Sequence, residues 1–318
     1  MNIVTPDYNC DFAMQLIHIL LLLSVVFTIN GYKWPRLARY TTAITVTFAV
    51  IYGTIGPLAL LYLTAFGYIA YYHLYHIPRF LRPSKLVKII NTILAITFNV
   101  MVCLFIKHRV PGFNNLITSQ TTQFSLLPIP LPTHNPFYIN FDKIMVANII
   151  CMCSNYPSSL TCQITKHQLR TTLCMTIICI SGAFMILLIT QIPPNTIIRN
   201  TPPWSLLPIW LFNNLFFVCF SEEVIFRGYL QSYLTRILVD KEAESGRQQI
   251  RYSYYAIILS ALYFGCCHIH MGNGYYPAIL SGLGGLLYGY NYYRTQNIPC
   301  NMMLHFLLNL SLALLAHI

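Results

Sequence analysis

Glu222 and Glu223 are adjacent carboxylates inside an apolar run that begins near Trp204. The other six carboxylates of the chain (Asp7, Asp11, Asp142, Asp240, Glu242 and Glu244) lie in polar or loop-like surroundings. An ionised group at mid-bilayer depth costs roughly 2.5–3.5 kcal/mol on insertion scales. Two side by side repel unless a cation or a shared proton relieves them. Arg227 is the available cation. On a helix it shares a face with Glu223 at i,i+4, while Glu222 points about 100° away. One glutamate is thereby held in an ion pair, and the other is left to face a cavity and accept a proton. A pair that only locks helices together is the competing reading. Intramembrane ionisable groups are functional by default, which favours chemistry.

Two further polar clusters sit in the last apolar segments. Phe264-Gly265-Cys266-Cys267-His268 puts Phe264 and His268 on one helix face, and His305-Phe306-Leu307-Leu308-Asn309 does the same for His305 and Asn309. If the flanking loops lie on one side, Glu222 is roughly 21 Å from Arg236, His268 roughly 25 Å from Arg251 and His305 roughly 16 Å from Arg294, at about 1.5 Å per residue. Helix tilts average about 20° and scatter widely, so these depths are compatible with one intramembrane site. A lone histidine on such a segment reads as a satisfied core residue. Three helices bringing polar groups to a similar depth reverse that preference.

The elements that must position these groups are membrane helices. The chain is 56% hydrophobic and 8% charged, against about 25% charged in soluble domains. The expected fold class is all-α, a polytopic integral membrane helical bundle of about seven to nine transmembrane helices. The formal net charge is +11, carried mostly by short loops such as Lys33–Arg39, Arg79–Lys88 and Arg236–Arg251, as expected where lysine and arginine set topology. No basic-aromatic interleaving points to nucleic acid. The eleven cysteines lie mostly in apolar runs and predict no disulfide framework.

Residues 1–11 show neither a basic n-region nor a small-residue cleavage site, so Phe12–Asn30 reads as a retained transmembrane helix. Thr41–Tyr75 is one kinked helix or two short crossings around Gly56-Pro57, and the basic loop that follows favours two. Leu86–Ile106 is a clean crossing. His108–Asp142 is a long proline-bearing connection, read as an irregular external loop in preference to a lid or substrate platform. Lys143–Ser154 is apolar but short for a crossing. Further crossings are expected at Leu169–Gln191, Trp204–Leu238, Ser253–Met271, Tyr275–Tyr293 and Pro299–Ile318, with Asp240–Arg251 as a solvated loop. Ser281, Gly285 and Gly289 form a small-xxx-small stripe that reads as packing.

Glu222-Glu223-Val-Ile-Phe-Arg227, Phe264-Gly-Cys-Cys-His268 and His305-Phe-Leu-Leu-Asn309 resemble, in order and spacing, the EExxxR, FxxxH and HxxxN motifs of the CAAX protease and bacteriocin-processing (Abi) family. These are intramembrane endopeptidases that include the type II CAAX prenyl endopeptidase. The resemblance covers about 171–318 and implies a peptidase domain there, with 1–170 as an N-terminal transmembrane region carrying the proline-rich loop 108–142. It implies Glu222 as general base, His268 holding and polarising the attacking water, His305 and Asn309 as oxyanion donors, and Glu223 with Arg227 orienting Glu222. A zinc site on Glu222, His268 and His305 is the alternative. The metal-free version is preferred, because the site lacks a second general base if Glu222 becomes a ligand. No cofactor is expected. The partners expected are the lipid bilayer and a membrane-associated protein or peptide substrate, and the location an integral one in the cell (inner) membrane. A non-catalytic immunity or scaffold protein of the same fold, and a transporter using the glutamates as an ion site, are the rival functions.

Overall fold

The computed structural model describes residues 8–31, 33–76, 84–113, 116–117, 138–154, 158–191, 204, 207–239, 246–269 and 275–315, and among these residues the apolar runs fold as ten helices. Apart from a two-residue antiparallel ladder, the described secondary structure is helical. The chain divides into two compact units, Met1–Tyr156 and Pro157–Ile318.

In the first unit, α1 (Tyr8–Ile29) packs along α2 (Pro35–Ile51). The stretch that allowed one kinked helix or two crossings is two helices. Tyr52 ends α2, Gly53 takes φ +72 in the turn, and Pro57 opens α3 (Pro57–Ala70) at its first position. Proline is preorganised there and its missing N–H is not needed. A π-turn, Tyr71–His76, extends α3. Helix α4 (Lys85–Ile106) starts on a Ser84 cap that accepts from the Val87 amide. Helix α5 (Phe141–Cys153) is buried nearly all round, with Phe141 to Asn148 all inside. Helices α1 to α4 all contact it, so this short segment is the core of the unit.

Residues 118–137 of the long connection lie outside the described residues, as does any lid or platform there. Its base is closed. Leu116–Ile117 pairs with Tyr138–Ile139, the Gly56 amide donates to the Gly112 carbonyl at 2.8 Å, and His108 Nδ1 lies 2.7 Å from the buried Asp142 Oδ2.

In the second unit, α6 (Lys166–Thr190) begins on a capping box between Thr165 and Gln168. It is followed by α7 (Leu207–Leu238), α8 (Gly246–Cys267), α9 (Tyr276–Thr295) and α10 (Ile298–Leu315). The stretch read as a solvated loop over Asp240–Arg251 is helical from Gly246, and 240–245 lie outside the described residues. Helices α8 and α9 make the most extensive helix pair of the molecule. Gly282, Gly285 and Gly289 are points where they approach closely. The α-carbons of Gly265 and Gly282 meet directly, and a Cβ on Gly285 would come within 3.1 Å of the Ala261 Cα. A Cβ on Gly265 would sit 2.7 Å from the Ala278 carbonyl oxygen, a backbone atom that cannot swing away. Gly265→Ala is therefore expected to lower stability by about 1–3 kcal/mol. Thermal unfolding in detergent reads this, and an unchanged melting temperature would show that the two helices can part freely.

Among the described residues, four helices, α4, α6, α7 and α10, are long and apolar enough to cross a membrane. Helices α8 and α9 have 22 and 20 residues but are not among the four. Arg247, Gln248, Gln249 and Arg251 at one end of α8, and the tyrosines of α9, dilute their apolar character.

Candidate active site

Helix α7 carries both glutamates on one short α-helical turn, Phe220–Glu223, between two π-helical stretches, Asn214–Cys219 and Val224–Gln231. π-turns are rare and concentrate at functional sites. Side chains from neighbouring positions hold the altered carbonyls. Ser260 of α8 donates to the Phe226 carbonyl at 3.0 Å, and Ser232 donates to the Arg227 carbonyl at 2.9 Å. Inserted partners of this kind deform a helical ladder. The helix nevertheless runs unbroken through the glutamates, unlike the discontinuous helices of transporter sites.

Glu223 is fully buried. Its Oε1 lies 3.4 Å from Arg227 Nη1 and 2.8 Å from His305 Nδ1, and its Oε2 accepts from Asn301 Nδ2 at 3.0 Å. Arg227 is also fully buried. Its Nη2 donates to the Gly285 carbonyl at 3.2 Å, and its Cζ lies 4.7 Å from the Phe264 ring centre and 5.1 Å from that of Tyr288. The close approach of α9 brings that carbonyl within reach. The i,i+4 pair read from the spacing is thus present, and it is held by aromatic faces and a second helix.

His305 lies between Glu223 and Glu222. The His305 ring is 4% exposed and stacks on Tyr288, with centroids 4.7 Å apart. Its Nδ1 meets Glu223, and its Nε2 faces Glu222 Oε2 at 3.9 Å. A carboxylate can only accept, so Nδ1 carries the proton of neutral His305 and Nε2 presents a lone pair. The contact to Glu222 is longer than a hydrogen bond.

His268 lies one residue past the end of α8, in a turn. Its Nδ1 donates to the Phe264 carbonyl at 2.8 Å, which again leaves Nε2 as the acceptor. Its ring lies 4.5 Å from Phe264, whose other contacts include His305 at 6.1 Å, so Phe264 links the two histidines. Asn309 Nδ2 donates to Asn214 Oδ1 at 3.3 Å, and the Cys219 thiol shares that acceptor at 3.4 Å. An apolar groove of about 420 Å³ between α8 and α9 has Cys266 and Ile269, either side of His268, in its lining.

Among the described residues no group of three or more His, Cys, Asp or Glu side chains is placed to hold a metal ion, although a histidine that donates Nδ1–H to a carboxylate, as His305 does to Glu223, keeps Nε2 open as a ligand atom.

Asn301, Asn291 and Asn214 were not singled out from the sequence. Asn301 had a signal: Asn301, His305 and Asn309 recur at four-residue steps and make one polar stripe along the otherwise apolar α10. Asn291 and Asn214 had none, because the asparagine each one meets lies on another helix.

Residues 203–311, about a third of the chain, match the family model described as Type II CAAX prenyl endopeptidase Rce1-like. The resemblance read from the three motifs is borne out over that stretch, which contains Glu222, Glu223, Arg227, His268, His305 and Asn309. No curated protein and no solved structure gives a significant match.

Proposed function

We propose that this chain is an intramembrane endopeptidase that hydrolyses a peptide bond in a membrane-associated protein or peptide, using water activated by Glu222. The supporting observation is the Glu222 carboxylate facing Nε2 of a His305 ring whose other nitrogen is fixed by Glu223. Both histidines present Nε2 as an acceptor in their neutral forms. A water donating one hydrogen to Glu222 and the other to His268 keeps a lone pair for the substrate carbonyl, and Glu222 takes the proton as the C–O bond forms. The donor for the developing oxyanion is the second amide hydrogen of Asn309. Glu223 and Arg227 hold the His305 ring in place. The groove beside His268 offers an apolar surface for a hydrophobic substrate segment. The same reading takes seven to nine of the helices as crossings and 171–318 as the peptidase domain.

Purified protein incubated with a library of membrane-tethered reporter peptides tests this. Cleavage is expected, it should survive a zinc chelator, and His268→Ala should slow it about 10²-fold. Cleavage that is lost with chelator and restored by zinc would replace the glutamate mechanism with a metal-dependent one. Cleavage indifferent to His268 would remove that residue from the site.

A further inference from the structure

We propose that Asn301 is a positioning residue: it holds Glu223 so that His305 keeps one ring orientation and one tautomer, and Asn291 holds Asn301 in turn. The inference rests on the reading of the site given above and assigns a role to two residues outside the three motifs.

The hydrogen bonds have a single polarity. Asn301 Nδ2 donates to the Tyr288 carbonyl at 2.8 Å and to Glu223 Oε2 at 3.0 Å. The Tyr288 carbonyl can only accept, so the amide nitrogen must face it, and no exchange of nitrogen and oxygen is open to Asn301. Its Oδ1 is then the acceptor on the other side, where Asn291 Nδ2 donates at 2.7 Å. Asn291 Oδ1 in turn faces the Thr172 hydroxyl at 3.4 Å. Thr172, Asn291, Asn301 and Glu223 are all fully buried. They lie on α6, α9, α10 and α7, so one directed chain of side chains crosses four helices and ends on the carboxylate that grips His305.

Glu223 needs this contact for a geometric reason. Arg227 and His305 both meet Oε1, and the bond on Oε2 comes from Asn301. The terminal carboxyl torsion of glutamate is soft. With both other donors on one oxygen, nothing in that pair of contacts stops the group turning about Oε1. Turning redirects the oxygen that receives the His305 Nδ1 proton, and His305 Nε2 then no longer aims at Glu222. Asn301 acts through Glu223 and touches neither Glu222 nor, in the proposed mechanism, the substrate.

Asn301→Asp keeps the shape but presents lone pairs to two acceptors. Asn301→Ala removes the donors without adding repulsion and carries the test if the aspartate variant does not fold. The full-length protein is labelled with 15N-histidine in lipid nanodiscs, and the His305 nitrogens are assigned by difference with His305→Gln. The expected wild-type spectrum shows His305 protonated at Nδ1. In Asn301→Ala that signature should be lost or averaged, kcat on a cleaved reporter should fall about 10²-fold, and KM should hold within a factor of about two. Asn291→Asp should shift the same resonance and lower kcat less. Unchanged His305 nitrogens in Asn301→Ala would overturn the proposal whatever happens to cleavage, and so would a changed spectrum with wild-type kcat. A changed spectrum in a protein that cleaves no reporter would leave the hold on His305 standing and sink the endopeptidase reading instead.

Discussion

Glu222→Gln should abolish measurable cleavage and leave the protein folded. Glutamine matches glutamate in shape but cannot take a proton from water, and a positioned general base contributes about 10²–10⁴ in rate. The fold should tolerate the change, because glutamine keeps the shape of the side chain and the bonds to Glu223 are untouched. Arg227, Asn301 and Nδ1 of His305 all contact Glu223. Removing one of two adjacent like charges also relieves repulsion. The measurement is single-turnover cleavage beside a melting curve in the same detergent. Rate loss with an unchanged melting temperature is the expected pair. A variant that cleaves within a few-fold of wild type would show that Glu222 is not the base.

Arg227→Met should have the largest effect on stability. The guanidinium is fully buried, and it supplies the positive charge beside a fully buried Glu223. Breaking a buried pair by removing one partner costs about 3–5 kcal/mol, because the remaining charge is left uncompensated. Here the loss also includes the bond to the Gly285 carbonyl and the contacts with the Phe264 and Tyr288 rings. The single variant is expected to accumulate poorly and melt well below wild type. Arg227→Met combined with Glu223→Gln should recover part of that loss, since no ion is then stranded. The double-mutant cycle separates the pair from the packing around it. If the double variant is as unstable as the single one, the arginine acts by filling space and not by neutralising Glu223.

Most helices were legible because each is written in its own stretch of chain. The break at Gly53 to Pro57 and the crossing at Lys85–Ile106 follow from local residue types. So does the Glu223–Arg227 pair, which needs only one helix to bring its members together. Helix starts were less legible. Lys166 and Gly246 open α6 and α8 inside stretches that looked polar enough for loops, because the solvent-side turn of a helix and a loop share a composition.

The sequence by itself determined that three polar motifs lie on apolar segments, with types and spacing suited to general-base chemistry. It did not determine which glutamate His305 holds, that Gly282 meets Gly265, or that Asn301 closes the hold on Glu223. Each of these depends on the rotation and depth of one helix against another, which spacing within a single helix does not encode. The two π-helical stretches of α7 add to this, since each turns everything beyond it away from regular α-helical register. The close α8–α9 approach and the buried chain from Thr172 to Glu223 set those rotations, and both exist only once the helices are packed.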